Sequence, residues 1–95
     1  STEDKAVIIA ESILNDFPKL TADAGLKCGF LPWFDFEFFK LLLDDQNRLD
    51  AAEEFNKIID LPFVEEFQMG YAYHLSTHQG LLKKYREKNP VPSNR

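Results

Sequence analysis

One cysteine in 95 residues excludes a disulfide framework and a four-cysteine zinc site. No apolar run approaches the roughly 20 residues that a membrane-spanning helix needs. No basic, apolar, small-residue leader marks an export signal, so the chain is expected to be cytoplasmic. No catalytic signature, internal repeat or low-complexity tract is present. What the chain does have is 44% hydrophobic and 14% aromatic residues, enough for a core, with a net charge of −5. Length and composition describe one small acidic domain. It is expected over residues 1–89, with 90–95 as a tail or the start of a linker.

The charge is segregated. Residues 35–66 carry a net −7 and residues 67–95 a net +4. The middle of the chain therefore repels phosphate and the end attracts anions weakly. The plain reading of both is a solvated surface.

Apolar spacing and capping residues predict helices over 1–17, 22–28, 35–44, 50–59 and 77–88. Ser1 with Asp4, Asp50 with Glu53, and Ser76 with Gln79 read as capping boxes. Thr21 and Asp35 read as caps, and Gly29 as a C-terminal cap. On the first helix, Ala6, Ile9, Ala10, Ile13, Leu14 and Phe17 form the expected apolar face. The third is apolar nearly all round, which predicts burial on more than one side. Asp44–Asn47 reads as a loop. The last helix is expected to turn Leu81, Leu82 and Tyr85 inward.

Between the last two helices the period drops to two. Residues 63–67 and 71–75 predict a β-hairpin around Gln68-Met69-Gly70, a three-residue connection with glycine at the left-handed position. That register pairs Phe67 with Tyr71, Glu65 with Tyr73 and Phe63 with Leu75, and sets His74 beside Glu66 and Val64. Helices, then a hairpin, then a helix is an α+β, mostly helical, winged-helix-like order. Another small α+β fold and an all-helical bundle are the alternatives.

The stretch Phe30–Leu43, then Leu61-Pro-Phe-Val-Glu-Glu66, then Gly70-Tyr-Ala-Tyr-His74 and Leu81-Leu82, resembles the winged-helix module that follows the ATPase core in STAND-type signal-transduction NTPases, the NACHT and NB-ARC relatives. The resemblance covers roughly residues 22–88. It implies a regulatory packing module without catalysis of its own, as a fragment or a stand-alone relative. One departure is His78-Gln79, where the family often places an arginine. The phosphate-binding loop and Walker B aspartate of those NTPases do not occur here. Ser1 in place of an initiator methionine fits either an excised domain or processing.

The candidate sites follow from residue type. Six of the ten residues 30–39 are aromatic, and consecutive pairs on a helix cannot all point inward. Trp33, Phe34, Phe36 and Phe39 are therefore candidates for a partner or neighbouring-domain surface, or for an oligomer contact. Glu53, Glu54, Glu65 and Glu66 are the candidate acidic face. Lys83, Lys84, Arg86 and Lys88 are a candidate basic patch. The helix before a wing is the usual groove reader; here it carries Asp50, Glu53, Glu54 and Asp60 against Lys57 alone, the wrong sign for DNA. His74 and His78 do not share a helical face and Cys28 reads as a small buried apolar residue, so no metal is expected, and no cofactor. Ser76, near both histidines, is better explained as a cap than as a nucleophile.

The expected function is a non-enzymatic interaction module that packs on another domain or protein through its aromatic and acidic surface. An acidic inhibitor or immunity-type protein blocking a basic partner is one alternative. A weak nucleic-acid binder through the C-terminal basic helix is another.

Overall fold

The order of elements follows from where the caps and prolines fall. A computed structural model describes residues 1–43 and 50–90. It has five helices, α1 (Thr2–Leu14), α2 (Lys19–Cys28), α3 (Phe36–Leu42), α4 (Ala51–Ile59) and α5 (Leu75–Lys88), with a hairpin of β1 (Val64–Phe67) and β2 (Gly70–Tyr73) before the last. The class is α+β and mostly helical. The expected end of the third helix at Asp44, the 44–47 loop and the tail beyond Pro90 lie outside the described residues.

Two predicted caps are in place. Ser1 Oγ accepts from Asp4 N at 3.2 Å, and Asp35 Oδ1 accepts from Phe38 N at 2.9 Å. Others fall elsewhere or make no side-chain cap bond. α2 starts directly after Pro18, whose φ of −52° suits a helix start, and Thr21 is buried within it. α5 starts at Leu75 behind His74, so Ser76 sits in the first turn and caps nothing. Asp50 stands at the N-cap position of α4 without a side-chain cap bond. α1 ends at Leu14, and the N–H groups of Asp16 and Phe17 close tighter turns on Ile13 and Leu14.

The aromatic residues build the centre of the core. Phe34 is fully buried; its ring lies 6.3 Å from Phe55 and 5.8 Å from Tyr73, both edge-on. Phe55 also meets Phe36 and Phe39 at 5.3 and 5.4 Å. Burying such a ring is worth about 1.5–3 kcal/mol, and each oriented pair about 0.5–1.5 kcal/mol more. The Tyr73 hydroxyl, buried among them, donates to the Gly25 carbonyl, which satisfies the one polar atom that this ring brings inside.

α1 packs chiefly on α5. Gly80 permits the approach: a Cβ there would sit 2.6 Å from the Glu3 carbonyl oxygen and 2.5 Å from Val7. The buried face of α1 is Val7, Ala10 and Leu14. Ile9, expected inside, is exposed together with Ile8, because α5 covers the stripe through Val7. On α5, Leu81 is buried while Tyr85 is exposed, its ring lying 5.3 Å from Phe30. Gly29 is the C-cap of α2, as expected, but not in left-handed geometry. Its φ of −67° is helical, and the position is closed to a side chain, since a Cβ would lie 2.3 Å from Leu81.

The hairpin register differs by one residue from the expected one. Val64 pairs with Tyr73, Glu65 with Ala72, Glu66 with Tyr71 and Phe67 with Gly70. A slip of one residue exchanges faces. Val64, Glu66, Tyr71 and Tyr73 now share one face, and Glu65 and Phe67 the other. Tertiary contacts select this register. Tyr73 must be buried against Phe63, at 5.0 Å, and Tyr71 exchanges backbone hydrogen bonds of 2.8 and 2.9 Å with Phe34. Gly70 has a φ of +150°, and a Cβ there would lie 2.6 Å from the Phe34 carbonyl oxygen.

Candidate interaction surface

Large apolar groups remain in solvent around the hairpin and α3, as they also do at Ile8, Ile9, Leu75 and Tyr85. Residues 33–35 run alongside β2 through the Phe34–Tyr71 bridge. Extended backbone alternates its side chains, so the neighbours of Phe34 point away from the core. Trp33 is half-buried and stacks edge-on against Phe38 at 5.4 Å. Phe38 is 40% exposed and Leu41, one turn on, 64%. The hairpin tip adds Phe67, 41% exposed, and Met69, 60%.

This corrects the aromatic candidates. Phe34 and Phe39 are wholly buried; Trp33 and Phe36 are both half-buried, Trp33 against Phe38 and Phe36 against Phe55. The exposed large apolar residues here are Phe38 and Leu41 on α3 and Phe67 and Met69 at the hairpin tip. Spacing alone does not separate Phe38 from Phe39. The phase comes from the Asp35 cap, which sets Phe39 and Leu43 four apart on the buried side and turns Phe38 and Leu41 away. Nor is the third helix buried on several sides, since only Phe39 within it is fully inside.

The acidic candidates also divide. Glu53 is exposed, with Lys57 at 3.8 Å. Glu54 is buried and is not part of an acidic face: its Oε1 lies 3.5 Å from Lys57 Nζ, and its Oε2 has no hydrogen-bond partner among the described residues. Glu65 and Glu66 are exposed on β1. His74 approaches Glu65, at 3.8 Å, and not Glu66, because the slipped register puts residues 65 and 74 diagonally on one face. Glu66 stands across from Tyr71. Burial, followed by the Glu66 and Asp60 charges, holds the Tyr71 hydroxyl above its ordinary range.

The basic patch is half neutralised. Lys84 reaches both Glu11 oxygens, at 2.7 and 2.9 Å, and Lys83 reaches Asp4 at 3.4 Å. These pairs tie α5 to α1. The Lys83 contact, after the Ser1 hydrogen bond, holds the Asp4 carboxyl below its ordinary range. Arg86 and Lys88 have no ion-pair partner among the described residues.

His78, Ser76 and Cys28 have separate fates. The His78 ring Nδ1 lies 2.7 Å from the Gly29 carbonyl. Cys28 is buried, and desolvation pushes its thiol up to about 12, so it is a poor nucleophile at neutral pH. Among the described residues, no three His, Cys, Asp or Glu side chains are grouped to hold a metal ion. No described helix is long and apolar enough to cross a membrane. A shallow cleft of about 310 Å³ lies between α1, α2 and α5, floored by Leu26, Phe30, Leu81 and Tyr85 and walled by the Glu11–Lys84 pair.

Comparison with family models, with curated proteins and with solved structures finds no match.

Proposed function

We propose that this chain is a non-enzymatic, winged-helix interaction module that packs on a protein surface through its hairpin end. The observation that carries this is the set of large apolar side chains exposed there, Phe38, Leu41, Phe67 and Met69, with half-buried Trp33 against Phe38. Grouped exposed apolar residues mark interfaces far more often than they occur idly. Glu65 and Glu66 beside them favour a partner with basic groups.

The winged-helix reading rests on order and pairing. α2, the strand-like residue Phe34, α3, α4 and then the β1–β2 hairpin follow the winged-helix sequence, with Phe34 on the outer edge of β2. α4 would be the groove-reading helix, and its exposed Glu53 and Asp60 argue against DNA there. A nucleic-acid role for α5 loses support as well, because Lys83 and Lys84 are already paired. The resemblance to the winged-helix module of STAND-type NTPases supports a regulatory role, packing against a neighbouring domain or a separate protein.

Site-specific photocrosslinking tests the reading. Benzoylphenylalanine in place of Phe38 or Met69, in the protein expressed in its own cell, is expected to crosslink to a protein surface. The same group in place of Ile9, exposed on α1, is the control. Crosslinks from residue 9 alone, or from none of the three, would overturn it.

A further inference from the structure

The two edges of the hairpin are unlike. On β2, the N–H and C=O of Tyr71 turn outward and are closed by Phe34, at 2.9 and 2.8 Å. In an antiparallel ladder, a residue whose backbone groups face outward stands opposite one whose groups also face outward. Glu66 is the partner of Tyr71, so its N–H and C=O face the free side of β1. The alternation extends to Val64, opposite Tyr73. The N–H of Val64 donates back to the Leu61 carbonyl at 3.1 Å, which leaves its C=O outward. β1 thus offers one donor and two acceptors in strand spacing, none with a protein partner among the described residues.

We propose that the outer edge of β1 is a strand-addition site for an extended, basic segment of a partner protein. The inference rests on the interaction reading above and names the partner's form. Strand addition to a free edge draws affinity from main-chain hydrogen bonds and specificity from alternate side chains. Charge selects the occupant. Glu65 and Glu66 lie on β1 itself, and Asp60 is close enough to act on the Tyr71 hydroxyl. Among the described residues, the base paired with them is His74, at 3.8 Å from Glu65, while Lys57 is held by Glu53 and Glu54. A second copy approaching edge to edge would set these carboxylates against their own kind, a device that keeps edges apart. A strand bearing Lys or Arg at alternate positions meets no such barrier, and its apolar residues would lie along Phe67.

A short capped peptide of alternating valine and lysine is the probe, titrated into the isotope-labelled chain and followed by NMR. Amide shifts are expected at Val64–Phe67, with exchange at the Glu66 N–H slowed about tenfold or more at saturation. Binding is expected to weaken as salt rises. The same peptide N-methylated at every second residue should lose binding. The Glu65→Gln/Glu66→Gln double variant, which keeps the backbone edge, should bind more weakly and with less salt dependence. Equal binding of the N-methylated peptide, shifts confined to the α1–α2–α5 cleft, or no binding at low salt would overturn the inference. If crosslinks from residues 38 and 69 persist in that case, strand addition falls and the interaction module stands; if those fail too, both fall.

Discussion

Two regions of this molecule treat opposite charge differently. Where α5 lies on α1, acids and bases meet: Lys84 on Glu11 and Lys83 on Asp4. The backbones approach closely there because Gly80 carries no side chain. At the hairpin end Glu65 and Glu66 face solvent, with apolar side chains beside them. A helix that reads as a basic patch in one dimension is half neutralised in three. A stretch that reads as a solvated acidic face also carries exposed apolar groups. Charge counted along a chain therefore ranks surfaces poorly until the pairing is known.

Substitutions within the aromatic run test this contrast most strongly. Phe34→Ala should cost about 3–5 kcal/mol in denaturant unfolding, since it empties the centre of the core. Phe38→Ala, exposed on α3, should cost about 1 kcal/mol or less. Equal costs would erase the distinction between buried and presented aromatics.

Alkaline pH should act on the core next. The buried Cys28 thiol ionises at about 12 in the folded chain against an ordinary value of 9.0, and burial raises the Tyr73 hydroxyl well above its ordinary value. Each neutral form is favoured by folding. Stability is therefore fully present below pH 9 and falls as pH rises toward 12, by at most about 1.4 kcal/mol per pH unit for each group. Urea midpoints measured across that range check this. Cys28→Ala should flatten the first part of the fall.

At the helical end, Gly80→Ala should destabilise by about 1–3 kcal/mol despite alanine's better helix propensity, because its Cβ meets the Glu3 carbonyl. Urea unfolding gives the cost, and the hairpin amides should keep their NMR shifts. Smallest is the charge comparison. Lys84→Ala should cost about 0.5–1 kcal/mol, less at high salt, while Lys88→Ala stays within about 0.5 kcal/mol.

Much of the fold was legible in local chemistry. Ser1, Asp35 and Pro18 mark helix starts or stops, and the change of period after Pro62 marks the hairpin. The site was legible only in part. Trp33, Glu65 and Glu66 lie on the surface as their residue types imply. Phe34, Phe39 and Glu54 are of the same types and lie inside, because neighbouring helices cover them. Phe67 turned outward through a one-residue slip that no turn residue announces.

The sequence by itself determined five helices, one hairpin, their order and the segregation of charge, because caps, breakers and periodicity act over a few residues. Only the tertiary structure decided which edge of the hairpin is closed, which lysines are paired, and which aromatics meet solvent. Those depend on contacts between residues far apart in the chain: Phe34 with Tyr71, Glu11 with Lys84, Gly80 with Glu3. No local pattern encodes such distances.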